Sequence, residues 1–388
     1  MTMQIPGRSI TLQLPRKLSF GAGCIADAAE WITAQSPGAV LVVTSPQVRH
    51  LADPLVAALS KAGISVALWD EVEKEPHVDD LARGLAAARD ARAGLIVGLG
   101  GGSVMDVAKL IAALLDGKQQ ISEVFGIGNL RNRPVPLACI PTTSGTGSEV
   151  SPIAIVQDSA DGLKKGVISP HLVPDAAFVD PLLTVGMPPA VTAATGIDAL
   201  THCIEAYANR QAHPVVDTWA LEGIRRIARS LPLAHANGAD IDARSDVALG
   251  SLYGGMCLGP VNTAAVHALA YPLGSDFGVA HGVSNAVLLA QVIEFNLSAA
   301  PQRYAEVARA LGVVEEGGTP EDLAVRGVAS IRELNRRCGI PASIAELGVP
   351  ESAIDRMADS ALTVQRLLLQ NPRTVTLQDA RDIYRRAF

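Results

Sequence analysis

The chain has 388 residues, of which 48% are hydrophobic and only 18% charged, with a formal charge of −7. That is enough apolar material for two cores of roughly 200 residues each, and it is not the composition of a disordered protein. No Lys/Arg cluster is dense enough to give a polyanion a basic footprint, which argues against a nucleic-acid partner. No stretch approaches the ~20 apolar residues of a membrane span, and MTMQIPGRSI at the N-terminus lacks the apolar run of a signal peptide. Cys24, Cys139, Cys203, Cys257 and Cys338 are scattered with no CxxC pair. They read as free thiols in a reducing compartment, so the expectation is a cytoplasmic protein without a membrane partner.

Along the first half, short β-rich runs alternate with amphipathic helical segments. The runs are Ala39–Thr44, Ile64–Trp69, Gly94–Gly98, Pro136–Ile140 and Ala177–Asp180, with helical spacing at Pro54–Lys61 and Leu81–Ala91. This alternation predicts a parallel sheet covered by helices on both faces. After Asp180–Pro189 the strand signals vanish. Helical windows follow at Ala190–Ala208, Asp217–His235 and Asp246–Met256, and Thr376 with Asp379 forms a capping-box start for Ala380–Ala387. The expected division is an α/β domain over residues 1–185 and an all-α domain over residues 186–388.

Two loops of the first half carry nucleotide chemistry. In GLIVGLGGGSVMDVAK (94–109), a strand enters Gly100, Gly101, Gly102 and Ser103 and a helix leaves. Backbone N–H groups at such a junction, with the helix N-terminus behind them, suit a pyrophosphate. Ser103 and Asp106 have capping-box spacing, so Asp106 reads as a helix cap, and Lys109 as a solvated or structural lysine. PTTSGTGSE (141–149) places Thr142, Thr143 and Thr146 in a hydroxyl-rich loop directly after a strand. In open parallel sheets ligands gather beyond the carboxyl ends of strands. Either loop alone is also an ordinary turn; together they favour a nucleotide.

In GIDALTHCIEAY (196–207), Asp198 and His202 are four apart and project from one helical face. VHALAYPLGSDFGVAHGVSNA (266–286) adds His267 and His281. One carboxylate and three imidazoles suit Fe²⁺ or Zn²⁺, and a single carboxylate leaves the cation electrophilic. Each histidine alone reads equally well as a buried structural residue, and spacing does not bring the four together. An Asp/His pair on an apolar helix is harder to dismiss, because burying it unpaired is costly. His50, His77, His171, His213 and His235 have no such company and read as surface or structural.

With these motifs assembled, the chain resembles the iron-containing (group III) alcohol dehydrogenase family. GGGSVMDVAK, PTTSGTGSE, GIDALTHCIEAY and HALAYPLG…AHGVSNA occur in the family's order, and the similarity extends to NPR…TLQDAR at 371–381. The resemblance implies a dinucleotide-binding α/β domain followed by a helical domain, the dehydroquinate synthase-like architecture. It implies NAD or NADP as cofactor, with the pyrophosphate on Gly100–Ser103, hydroxyl contacts from Thr142, Thr143 and Thr146, and a cofactor-reaching lysine at Lys164, beside Lys165. It implies a divalent metal, Fe²⁺ or Zn²⁺, on Asp198, His202, His267 and His281, and a homo-oligomer, often a dimer.

Three positions depart from the family pattern. Tyr271 stands where a histidine is common, four residues after His267; it is a candidate proton relay, with an unperturbed pKa of ~10. Leu258 stands where many members carry a phenylalanine, and the smaller residue suggests a roomier substrate pocket, lined by Leu258 and Tyr271. Ser45 ends the run AVLVVT where NAD-preferring members often carry an aspartate, and Arg49 is near, which opens the site to NADP(H). The expected activity is hydride transfer between a primary alcohol or aldehyde and nicotinamide. The alternative on the same fold is a reductase of a functionalised aldehyde or oxo acid of the maleylacetate or sulfo-/phosphonoacetaldehyde type. A dehydroquinate-synthase or glycerol-dehydrogenase relative, or a nucleotide binder without catalysis, fits the motif set less well.

Overall fold

The computed structural model describes residues 9–72, 76–160, 162–314 and 317–388. Residues 1–8, read above for a leader, lie outside them. The strands are β1 (Lys17–Phe20), β2 (Ala39–Val43), β3 (Ser65–Trp69), β4 (Leu95–Gly100), β5 (Gly126–Ile127), β6 (Leu137–Pro141), β7 (Ile153–Gln157), β8 (Lys164–Ile168) and β9 (Ala176–Val179). Among them run α1 (Ile25–Ala34), α2 (Asp53–Lys61), α3 (Val78–Asp90), α4 (Gly102–Leu114) and α5 (Ile121–Val124).

Six strands form a parallel sheet in the order β1-β9-β6-β4-β2-β3. The unbroken apolar run AVLVV makes sense in this position. Val40 and Val42 join a core with Ala28, Ile32, Leu55 and Leu59 of α1 and α2. Leu41 and Val43 join another with Leu81, Val104, Leu110 and Ile111 of α3 and α4. A strand buried on both faces shows no polar alternation. The chain goes outward from β2 to β3 and returns to the other side of β2 at β4. That reversal is a topological switch point, where nucleotide ligands collect in such sheets. A smaller sheet, β5-β8-β7, was not expected from the sequence.

The remaining helices are α6 (Pro189–Tyr207), α7 (Pro214–Ala236), α8 (Ile241–Leu258), α9 (Ala265–Phe277), α10 (His281–Asn296), α11 (Pro301–Ala310), α12 (Pro320–Arg337), α13 (Ile354–Leu362), α14 (Gln365–Leu368) and α15 (Leu377–Ala387). They share one apolar core. α6 is buried almost all round from Thr192 onward, as a central helix must be. Thr376 and Asp379 form the expected capping box on α15. No helix among the described residues is long and apolar enough to cross a membrane.

Backbone contacts divide the chain into two compact units. Gln13–Thr143 with Gly147–Val185 form the α/β unit. Gly186–Phe388 form the helical unit, together with Ser144–Thr146 and residues 9–12.

Candidate metal centre and nucleotide loops

The helical unit collects a compact donor set from three helices. Asp198 and His202 stand one turn apart on α6, His267 lies in the first turn of α9, and His281 opens α10. One donor atom each from Asp198, His267 and His281 lies within 4.8 Å of the others. Nε2 of His267, His281 and His202 stand 3.5, 3.6 and 3.8 Å from the same oxygen, Asp198 Oδ1. His202 falls outside the tightest trio, but its ring stacks on His267 with centroids 4.8 Å apart. Asp198, His202 and His267 are buried; His281 is half-buried.

Two residues absent from the sequence reading organise this set. Glu205 Oε2 lies 2.5 Å from His267 Nδ1, and its Oε1 accepts the Val266 N–H at 2.6 Å. Glu205 is seven residues after Asp198, on the face of α6 that carries His202, so its spacing was a usable signal. An Nδ1–H donated to Glu205 leaves the His267 Nε2 lone pair aimed at Asp198, the tautomer a cation requires. Asn285 sits one turn after His281. Its amide nitrogen donates to Asp198 Oδ1 at 2.7 Å and lies 3.2 Å from His281 Nε2 and 3.3 Å from His267 Nε2. The amide thus places positive partial charge among the acceptors a cation would bind. Among the described residues, His202 Nδ1 and Asn285 Oδ1 are buried without a hydrogen-bond partner.

The electrostatics agree. Burial opposes ionisation of Asp198, but His202, His281 and His267 outweigh it and hold the carboxyl well below its usual range. Burial also opposes charge on His267, yet Glu205 and Asp198 raise it to about 9. His202 is held below its usual value by burial, reinforced by His267 against the pull of Asp198. A buried carboxylate with three imidazoles, one oriented by a further carboxylate, fits Fe²⁺ or Zn²⁺.

Tyr271 lies one turn beyond His267 on α9, with its ring 6.1 Å from that of His281. Its hydroxyl accepts a hydrogen bond from Arg366 Nη2 at 3.2 Å. Leu258 is buried in the last turn of α8.

In the α/β unit, Gly100 ends β4, Gly101 precedes α4, and Gly102 and Ser103 open that helix. Gly100 must lack a side chain, since a Cβ there would stand 2.7 Å from Val104. Thr142 donates its N–H to Gly100 O at 3.0 Å, and Thr143 lies against Gly101. The glycine loop and the start of the hydroxyl loop are therefore adjacent at the carboxyl ends of β4 and β6. Thr142 Oγ1 is buried without a partner. Thr146 falls with the helical unit. Ser45 follows β2, next to β4 in the sheet, and Arg49 Nε lies 3.3 Å from Asp70. Lys164 opens β8; its neighbour Lys165 pairs with Asp158 at 2.6 Å.

Two readings are corrected. Asp106 does not cap α4, whose N-cap is Gly101 without a side-chain bond. Its carboxylate instead accepts Ser148 Oγ–H at 2.6 Å and Ile155 N–H at 2.9 Å, tertiary partners that the capping-box spacing concealed. Lys109 is not solvated. It is fully buried and structural, donating to the carbonyls of Ser151 and Ile153 at 2.8 Å each.

The profile described as iron-containing alcohol dehydrogenase matches residues 15–181, and that of the Fe-containing alcohol dehydrogenase family, C-terminal, matches residues 192–388. Long-chain-alcohol dehydrogenase 1 of Geobacillus thermodenitrificans (strain NG80-2) is 40% identical over 354 residues, 90% of this chain and 89% of that protein. The 1,3-propanediol dehydrogenase of Klebsiella pneumoniae is 36% identical, over 97% of this chain and 98% of its own. The crystal structure of a 1,3-propanediol oxidoreductase shares the fold with a TM-score of 0.96 at 36% identity, covering 98% of this chain and 100% of that one. The chain therefore belongs to the iron-containing alcohol dehydrogenase family and is an NAD(P)-linked oxidoreductase acting on alcohols.

Proposed function

We propose that Asp198, His202, His267 and His281 hold the divalent metal, and that the enzyme interconverts a primary alcohol and its aldehyde. The observation that carries this is the convergence of three imidazole nitrogens on one buried carboxylate oxygen. A bound Fe²⁺ or Zn²⁺ supplies Lewis acidity toward the substrate oxygen. A nicotinamide held at Gly100–Ser103 would supply the hydride acceptor, and the alcohol proton would leave to solvent. Glu205 keeps His267 in the ligating tautomer, and Asn285 fixes the Asp198 carboxylate. Tyr271, beside His281, relays the proton.

In this reading residues 1–185 form the dinucleotide-binding domain and residues 186–388 the metal and substrate domain. Backbone N–H groups at Gly100–Ser103, backed by the 13-residue helix α4, bind the pyrophosphate. Thr142, Thr143, Thr146 and Lys164 bind the rest of the cofactor, and the orphaned Thr142 hydroxyl gains a partner there. Ser45 presents no carboxylate after β2, which favours acceptance of NADP(H) beside NAD(H). Leu258 and Tyr271 bound the substrate pocket. The same reading makes the protein a cytoplasmic homo-oligomer.

The test is the initial rate of NADH and NADPH oxidation with a panel of short aldehydes, using protein stripped of metal and then reconstituted anaerobically with Fe²⁺ or Zn²⁺. Activity only in the reconstituted protein is expected. Protein that binds no metal, or that works equally well without it, sinks the assignment.

A further inference from the structure

Arg366 is a cation without an anion. It lies in α14, is half-buried, and its Nη2 donates to the Tyr271 hydroxyl at 3.2 Å. Among the described residues it forms no ion pair. In the same unit Arg356 pairs with Asp276, Arg381 with Asp355 and Arg303 with Asp217, while buried Arg244, without a carboxylate partner among the described residues, is held by Thr192 Oγ1 and the carbonyls of Gly238 and Met187. A guanidinium has five N–H donors, and one bond to a neutral phenol neither uses them nor balances the charge. Tyr271 in turn borders the donor set, its ring 6.1 Å from that of His281. With its oxygen accepting from Arg366, the phenol still has its own proton to donate. Two donors, one charged and planar, thus stand side by side next to the metal centre.

We infer that Arg366, held by its bond to the Tyr271 hydroxyl, forms a subsite for an anionic substituent, so that the preferred substrate is a short aldehyde or alcohol carrying a carboxylate, sulfonate or phosphonate. This rests on the metal-centre reading above and narrows it. A guanidinium fork matches such groups in a bidentate way that a lone ammonium does not. A plain alkyl substrate leaves the guanidinium partly desolvated and unpaired, a cost that favours the anion. Arg366 is here a specificity residue; hydride transfer does not pass through it.

The test compares kcat/KM for succinic semialdehyde and for butanal, which share a four-carbon chain, on metal-loaded wild type, R366M and R366K. Wild type is expected to prefer the anion. R366M should shrink the ratio by roughly ten- to a hundredfold, the range of a charge-assisted hydrogen bond, mostly through KM. R366K should keep part of it. Equal losses on both substrates, or a ratio untouched by R366M, overturn the proposal. Calorimetric titration of metal-loaded wild type and R366M with 4-hydroxybutyrate gives a readout independent of turnover. Weaker binding to R366M supports the subsite even if neither aldehyde is reduced, in which case the metal-centre reading above fails and the subsite does not. Equal binding rejects the subsite. NADPH affinity measured on the same proteins separates the alternative anion, a cofactor phosphate: a loss in R366M matching the loss in substrate ratio would assign Arg366 to the cofactor instead.

Discussion

Glu205 bridges two groups on neighbouring residues of α9: its Oε2 lies 2.5 Å from Nδ1 of His267, and its Oε1 accepts the N–H of Val266. The first turn of α9 is thereby fixed to α6, and the His267 ring cannot rotate without losing a buried bond. Replacing Glu205 with glutamine keeps the shape and one acceptor but removes the charge. Metal affinity should fall about 10–100-fold, the usual cost of losing the partner behind a ligating histidine. Metal titration followed by mass spectrometry checks it, with circular dichroism showing an unchanged fold. Undiminished affinity in E205Q would mean that His267 is not oriented by this carboxylate.

Gly282 sets how closely α10 approaches α6. A Cβ on Gly282 would stand 2.1 Å from the carbonyl oxygen of Ala194, a backbone atom that has nowhere to go. Gly282→Ala must push α10 away and carry His281 from Asp198. We expect a loss of about 1–3 kcal/mol in stability, as for overpacking generally, and fewer bound metal ions per chain. Denaturant melts and metal content measured together test this. A fully metallated, equally stable G282A protein would show that the contact is looser than 2.1 Å implies.

Asp106 ties α4, which begins at the glycine loop, to the segment following the hydroxyl loop through Ser148 and Ile155. The residue as a whole keeps some exposure, but its carboxylate is desolvated, and burial raises its pKa against the opposing pull of Lys109. Asp106→Ala strands the Ile155 N–H and removes the negative charge facing buried Lys109. A loss of about 1–3 kcal/mol is expected from urea unfolding, the cost of stranding a buried donor. Asp106→Asn should lose less, because one oxygen still accepts from Ser148. If both loops help bind cofactor, the NADH dissociation constant rises in either variant while metal content is unchanged.

Much of the fold and of the candidate donor set was legible in sequence for physical reasons, and the rest was hidden for others. β2 and β4 announce themselves as unbroken apolar runs because both faces of the parallel sheet are covered. β5 has two residues, and β8 begins with two lysines, so the small sheet carries almost no hydrophobic signal. Asp198 and His202 are visible because a helix fixes residues four apart on one face. The bonds of Glu205 to His267 and of Asn285 to Asp198 join residues 62 and 87 positions apart. Helical spacing puts each residue on the correct face but does not name its partner. Asp106 failed differently: local spacing offered a cap, and a tertiary partner 42 residues away took the carboxylate instead.

Glu149 gives the clearest pH prediction. It ends PTTSGTGSE and is almost wholly buried; burial pushes its pKa up to about 7, against smaller opposing effects from a backbone N–H and Lys109. The folded value lies above the unfolded one of ~4.3, so the folded state binds this proton more tightly than the unfolded chain does. Its contribution is fully present below about pH 4.3 and is lost as pH rises through about 7. Above that, the ionised carboxylate is a net cost of about 4 kcal/mol, since each tenfold change in proton affinity is worth about 1.36 kcal/mol. Glu149→Gln keeps the shape and removes the titration. The variant should be more stable than wild type at pH 8, with a gap that shrinks toward pH 5. Urea unfolding at pH 5, 6.5 and 8 measures this directly. Parallel curves for the two proteins would show that Glu149 finds compensation from Lys109 strong enough to keep it ionised throughout.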